Sequence, residues 1–160
     1  MTRLNYMRQD RFLFAILGGI GVLVIAALFI FFFRQGEQDY AVEDTPQGVV
    51  RNFILALEKE DYDRAYEYLQ AQERPEYEQF LQYFMGPDAG MQRTAVRIGE
   101  AHPTGERTLV GLTLIHQSSE PFQDAYYEET TASLVKEGGR WAIVRMPYPY
   151  WDWGWEEKLP

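Results

Sequence analysis

The 160-residue chain contains no cysteine. That absence excludes disulfides, thiolate zinc sites, cysteine-ligated iron–sulfur clusters and covalent haem attachment through C-x-x-C-H. Histidine is nearly as scarce, with only His102 and His116. Neither falls at a compact spacing with Asp or Glu that would suggest a metal site. His102 precedes Pro103 in an apparent turn and His116 closes an apolar stretch, so both read as surface or capping residues. Positive charge is also in short supply: 15 Lys/Arg stand against 24 Asp/Glu, a net charge of −9, and from Arg34 onward the balance is 12 against 23. Nucleic acid is therefore not an expected partner, because phosphate binding needs a basic footprint. Internal repeats and low-complexity segments are missing as well, and no cofactor is expected.

Charge is absent altogether from residues 12–33. As an α-helix these residues would extend about 33 Å, enough to cross the hydrocarbon core of a bilayer. Arg3, Arg8 and Arg11 precede the stretch against Asp10 alone, whereas Arg34 is followed by Glu37, Asp39, Glu43 and Asp44. The Lys/Arg excess on the short N-terminal side places that side in the cytoplasm and the remainder outside, in a bacterial inner membrane. A cleaved signal sequence is the competing reading. The run is longer than a signal core of about 7–15 residues and ends in Phe31-Phe32-Phe33-Arg34 without a small-x-small site, which favours an uncleaved anchor. Ala15, Gly18, Gly19 and Gly21 put small residues on one flank of the span, where another transmembrane helix can approach closely.

Residues 35–44 read as a short polar linker. Thr45 then offers an N-cap hydroxyl, Pro46 suits the first helical position, and Val49, Val50, Phe53, Ile54 and Leu57 recur at helical spacing. A second helix follows Asp61 with Tyr62, Ala65, Tyr66 and Leu69 on one face. A third opens after Pro75, burying Tyr77, Phe80, Leu81 and Phe84, and stops at Gly86-Pro87-Asp88. From residue 93 the pattern changes to β-branched and aromatic runs at 93–100, 107–117, 126–136 and 140–146, broken by His102-Pro103-Thr104-Gly105, by residues 118–121 and by Glu137-Gly138-Gly139. Val110, Leu112 and Leu114 alternate with Leu109 and Ile115, as suits a central strand. The expected fold is α+β: one N-terminal transmembrane helix, then three short helices packed on a curved four-stranded antiparallel sheet over residues 45–146.

The helix Gln47-Gly48-Val49-Val50-Arg51-Asn52-Phe53-Ile54-Leu55-Ala56-Leu57 and the following Asp61-Tyr62-Asp63-Arg64-Ala65-Tyr66 resemble the opening of extracytoplasmic domains of the nuclear-transport-factor-2-like superfamily. The hairpin Val135-Lys136-Glu137-Gly138-Gly139-Arg140-Trp141-Ala142-Ile143 is similar to that fold's last hairpin, whose Trp packs into the cone. The resemblance implies a cone-shaped fold and no single activity, since the superfamily holds isomerases, dehydratases, transport factors and non-catalytic accessory domains. No acid or base carries over residue by residue. Glu58, Glu60, Asp63, Glu67, Glu76 and Glu78 fall opposite the apolar stripes and read as solvated surface, so no catalytic residue is assigned.

After the last strand comes Pro147-Tyr148-Pro149-Tyr150-Trp151-Asp152-Trp153-Gly154-Trp155, with three of the four tryptophans. Alternate prolines favour an extended, polyproline-like course. Such a density of Trp and Tyr must dock on its own domain, on a partner protein or at the membrane surface, where Asp152, Glu156 and Glu157 oppose anionic lipid. Tyr148, Tyr150, Trp151, Trp153 and Trp155 are the expected partner anchors, so removing residues 147–160 should leave the domain folded. The expected function is a non-catalytic, single-pass accessory subunit that contacts other membrane-protein subunits and the lipid bilayer. The class of assembly put first is bacterial respiratory or photosynthetic electron transfer, such as alternative complex III. The alternative is a membrane-anchored small-molecule-binding protein or enzyme of the cell envelope.

Overall fold

The computed structural model describes residues 6–34, 39–86, 94–116 and 124–158. The chain divides into two compact units, Met1–Asp39 and Tyr40–Pro160. The side chains of Arg3, Arg8, Arg11, Arg34, Glu37, Glu156 and Glu157, the first residue of the strand expected at 93, the Pro87-Asp88 stop and the break at 118–121 lie outside what is described.

The described residues of the first unit form one helix, α1 (Tyr6–Arg34, 29 residues). Within it, Leu13–Ile30 is long and apolar enough to cross a membrane, by a length and composition that an N-terminal signal sequence would share. Its apolar side chains point outward on all sides, with Leu13, Leu23 and Ile25 at least 57% exposed. A helix apolar all round satisfies its own backbone and leaves the side chains to an apolar surrounding.

The second unit is α+β. Helices α2 (Pro46–Glu58), α3 (Tyr62–Glu67) and α4 (Tyr77–Met85) precede strands β1 (Thr94–Thr104), β2 (Arg107–His116), β3 (Tyr126–Glu137) and β4 (Arg140–Arg145). The strands form one antiparallel sheet in the order β1-β2-β3-β4. Helix α2 starts as its sequence dictates: the Thr45 hydroxyl accepts a hydrogen bond from Gly48 N–H at 3.1 Å and Pro46 occupies the first turn. Asp61 caps α3 through Arg64 N–H. Gly138 and Gly139 both take positive φ, 56° and 86°, in the β3–β4 turn, a conformation that disfavours any side chain.

Val110, Leu112 and Leu114 of β2 are buried on the helix-facing side of the sheet, with Ala132 and Leu134 of β3 and Ile143 of β4. Val50, Phe53, Ala56 and Leu57 of α2 and Phe80 and Phe84 of α4 meet them. Each large apolar side chain buried here contributes roughly 1.5–3 kcal/mol. Leu81 is only half-buried, because the exposed flank of α4 begins one residue after Phe80. The register shifts between Ile98 and Ala101 and between Ser133 and Leu134. Such bulges bend their strands.

Three boundaries differ from expectation. Strand β1 runs through His102, Pro103 and Thr104 to turn at Gly105, which is permitted because β1 is an edge strand and a proline there forfeits no ladder bond. Residues 40–44 are no linker: Asn52 holds Ala41 through two hydrogen bonds, and the Trp141 indole N–H donates to Asp44 O at 3.1 Å. Beyond β4 the chain continues into the core and ends in a 3-10 helix, Trp153–Lys158.

Candidate functional site: the aromatic tail and its cleft

The tail leaves β4 at Met146, which is itself buried. Instead of running on as an extended polyproline segment it turns sharply, Tyr150 N–H donating to Pro147 O at 2.8 Å across a cis Tyr148–Pro149 peptide. The turn drives Tyr150 beneath the sheet, where its ring is 2% exposed and its hydroxyl lies 3.4 Å from Thr94 O. Trp151 and Trp155 follow it inward and pack edge to face, 5.1 Å apart. Trp155 meets Tyr83 at 5.2 Å and Phe80 and Phe84 at 6.1 Å, all on α4. The Tyr83 hydroxyl donates to Pro149 O at 3.1 Å and fixes the tail to that helix.

The five expected partner anchors therefore separate. Tyr150, Trp151 and Trp155 belong to the domain's own core, clustered with Phe80 and Phe84 of α4 and the buried residues of the sheet. Tyr148 and Trp153 remain 48% and 64% exposed. Burial pushes the Tyr83 phenol up to about 12, with Tyr148 and Asp152 adding to it, and burial raises Tyr150 further still.

Between the exposed rings and the sheet lies a cleft of about 480 Å³. Thr130, Thr131 and Ser133 of β3, Arg145 of β4, and Tyr148, Trp151 and Trp153 of the tail are among the residues that line it. The Ser133 hydroxyl and the Trp151 indole N–H are buried without a hydrogen-bond partner among the described residues. Arg145 lies over the Trp153 ring at 5.8 Å, and Arg107, at the far end, is bonded to Glu73 at 3.2 Å.

On α1, Ala15 and Gly19 are one turn apart, as are Gly18 and Gly21, and a Cβ added at any of the three glycines would meet nothing within 4 Å among the described residues. That flank is open.

One polar arrangement was not legible beforehand. His116 lies between two groups: its Nδ1 is 3.3 Å from the Thr94 hydroxyl and its Nε2 is 3.1 Å from Glu128 Oε2. A hydroxyl, an imidazole and a carboxylate in line invite comparison with a nucleophilic relay. Here the hydroxyl is the buried end, with Thr94 9% exposed beside Tyr150, while the carboxylate faces water. The chain of contacts ties β1, β2 and β3 together at their open end. Sequence spacing hides it, since its members meet only through strand register. Among the described residues, no three His, Asp or Glu side chains are grouped to hold a metal ion.

No family model matches the chain, and no curated protein does. Among solved structures it is similar to the solution structure of a SEC-C motif containing protein from Rhodopseudomonas palustris, at 15% identity and a TM-score of 0.48, over 66% of this chain and 79% of that one.

Proposed function

We propose that this chain is a non-catalytic, single-pass accessory subunit of a larger bacterial membrane complex, its α1 helix spanning the inner membrane with the N-terminus in the cytoplasm and the α+β domain outside. The observation that carries this reading is the filled interior. Tyr150, Trp151 and Trp155 occupy the space between α4 and the sheet, which is where a cone-shaped domain of the nuclear-transport-factor-2-like kind would hold a ligand. Further support comes from the open glycine flank of α1, its outward apolar surface and the acidic, cysteine-free domain. The class of complex put first is respiratory or photosynthetic electron transfer, alternative complex III among them, in which this chain would stabilise neighbouring subunits and carry no redox group.

Extraction of native membranes in mild detergent, pull-down through a C-terminal tag and mass spectrometry test the proposal. A stoichiometric set of membrane subunits is the expected outcome. A solitary protein would overturn it in favour of the second reading, an anchored small-molecule binder. That reading has its own observation, the cleft beside Trp151 with two unpartnered polar groups.

A further inference from the structure

Each long edge of this sheet is treated differently. The edge of β1 carries a bulge between Ile98 and Ala101 and a proline at 103, both of which discourage another strand from pairing. The edge of β4 is occupied: Gln70 N–H donates to Ile143 O and Ile143 N–H to Tyr68 O, both at 2.8 Å, in a one-residue parallel bridge. Strand β3 is twelve residues long and β4 only six, and their pairing begins at Ser133. Residues 126–132 thus pair with β2 on one side, and among the described residues no backbone pairs with the other. This half of β3 reads Tyr-Tyr-Glu-Glu-Thr-Thr-Ala, with no proline, glycine or lysine, and its aromatic and β-branched residues favour pairing.

We infer that residues 126–132 of β3 are a docking edge for an extended segment of a partner protein that carries Lys or Arg at neighbouring positions and adds to the sheet as a fifth strand. The inference deepens the accessory reading and rests on it for the partner being a protein. Seven residues offer about 23 Å of edge at the rise of an antiparallel strand. The 480 Å³ cleft lies alongside, walled off by Tyr148 and Trp153, so an added strand has a trough to enter. Two of its lining residues, Ser133 and Trp151, carry buried polar atoms without a hydrogen-bond partner among the described residues.

Charge selects the occupant. Glu128 and Glu129 project to opposite faces of β3 and both are exposed, as is Asp124 just before the strand. The arginines of the cleft are engaged, Arg107 by Glu73 and Arg145 over the Trp153 ring. Glu128 already meets His116 at 3.1 Å, so the choice falls to Glu129 on the other face and to Asp124: an acidic segment laid on this edge would stand opposite carboxylates, whereas a basic one would pair with Glu129, and like charges directly opposite destabilise a sheet. Main-chain bonds would supply affinity and the alternating side chains specificity, as in other strand additions.

The test is site-specific photo-crosslinking of the full-length protein in native membranes, with benzoylphenylalanine at Tyr127 or Thr131 and, as control, at Arg97 on β1. Support requires adducts from both β3 sites and none from Arg97, mapping to one extended Lys/Arg-bearing segment. A synthetic peptide of that segment must then protect those amides of 126–132 that face away from β2 from hydrogen exchange. The variant Glu129→Lys, which leaves the His116–Glu128 contact intact, must lower peptide affinity at least tenfold. Equal labelling from Arg97, an adduct with a second copy of this chain, or an unaltered affinity in the variant would overturn the proposal. If the subunits co-purify and no β3 adduct forms, the docking edge alone fails; if nothing co-purifies, the accessory reading fails with it.

Discussion

Asn52 completes the backbone of Ala41. Ala41 N–H donates to Asn52 Oδ1 at 2.7 Å and Asn52 Nδ2 donates to Ala41 O at 2.9 Å, so one side chain satisfies both main-chain groups of a residue eleven positions earlier. Asn52 is wholly buried among the apolar residues of α2, and its amide matches donor to acceptor and acceptor to donor, as a paired strand would. The neighbouring residues of the strap are held as firmly. Glu43 accepts from the Tyr68 hydroxyl at 2.7 Å, and the Arg64 guanidinium stacks on the Tyr40 ring at 3.4 Å.

Replacing Asn52 with Ala should cost about 1–3 kcal/mol, because the strap loses two bonds and a buried polar pair is left without partners. Asn52→Asp should cost at least as much at neutral pH, since a carboxylate can accept from Ala41 N–H but faces Ala41 O with no proton to donate. Urea unfolding followed by circular dichroism measures both.

Gly48→Ala tests the same strap from the helix side. An alanine in a helix interior is ordinarily worth about 1 kcal/mol more than glycine. Here its Cβ would overlap Val42 O, a backbone atom, so the substitution should instead destabilise by about 1–3 kcal/mol. A thermal melt of the two proteins decides the sign.

Trp155→Ala should destabilise by about 3–5 kcal/mol, the usual range for a large buried aromatic, with loss of the near-ultraviolet dichroism of the Trp151–Trp155 pair. Trp153→Ala, at an exposed ring, should change stability by no more than about 0.5 kcal/mol. Deletion of residues 147–160 should unfold the domain, the reverse of what sequence alone leads one to expect, because it removes three rings from the core.

Tyr83 ionises only near pH 12 in the folded protein, and Tyr150 is raised as well, while both return to about 10 when unfolded. Between those values the unfolded chain has released protons that the folded chain retains, so the contribution of these two groups is level below about pH 9 and stability declines as pH rises from about 10 to 12. Absorbance at 295 nm during alkaline titration should show these two tyrosines ionising last. Tyr83→Phe should flatten the decline in unfolding free energy.

Leucine at Gly18, Gly19 and Gly21 together should lower retention of co-purifying subunits if that flank packs against another helix. A Cβ at each of these positions meets nothing within 4 Å among the described residues, so folding should be unaffected. Unchanged retention, read by quantitative mass spectrometry of the tagged pull-down, would leave the glycines without a packing role.

The helices and the last hairpin were legible because their signals are local. Thr45-Pro46 specifies a start, Gly138-Gly139 a turn, and the 3.6-residue period of α2 its buried face. Residues 40–44 resemble a linker in sequence because their tether is a single Asn within an apolar stripe, and periodicity counts hydrophobes without asking what a polar intruder bonds. An Asn between Val50 and Phe53 was the available clue. The tail showed that its tryptophans need cover but not whose. That answer depends on the gap between α4 and the sheet, which exists only once strands far apart in sequence have paired. The end of β1 was lost because a Pro-Thr-Gly run resembles a turn until the strand is known to lie at an edge.

The bridge between Leu69 and Ile143 has a kinetic consequence. Strand β4, the shortest in the sheet, is joined to the end of α3 on one side and to β3 on the other, while Trp141 reaches Asp44 across 97 residues of chain. The closure entropy of those long loops must be overcome before β4 yields any stabilisation, which slows folding relative to a helical bundle of the same size. Hydrogen exchange should accordingly find the amides of Ile143 and Gln70 opening together, in one cooperative event, rather than with the helices they connect.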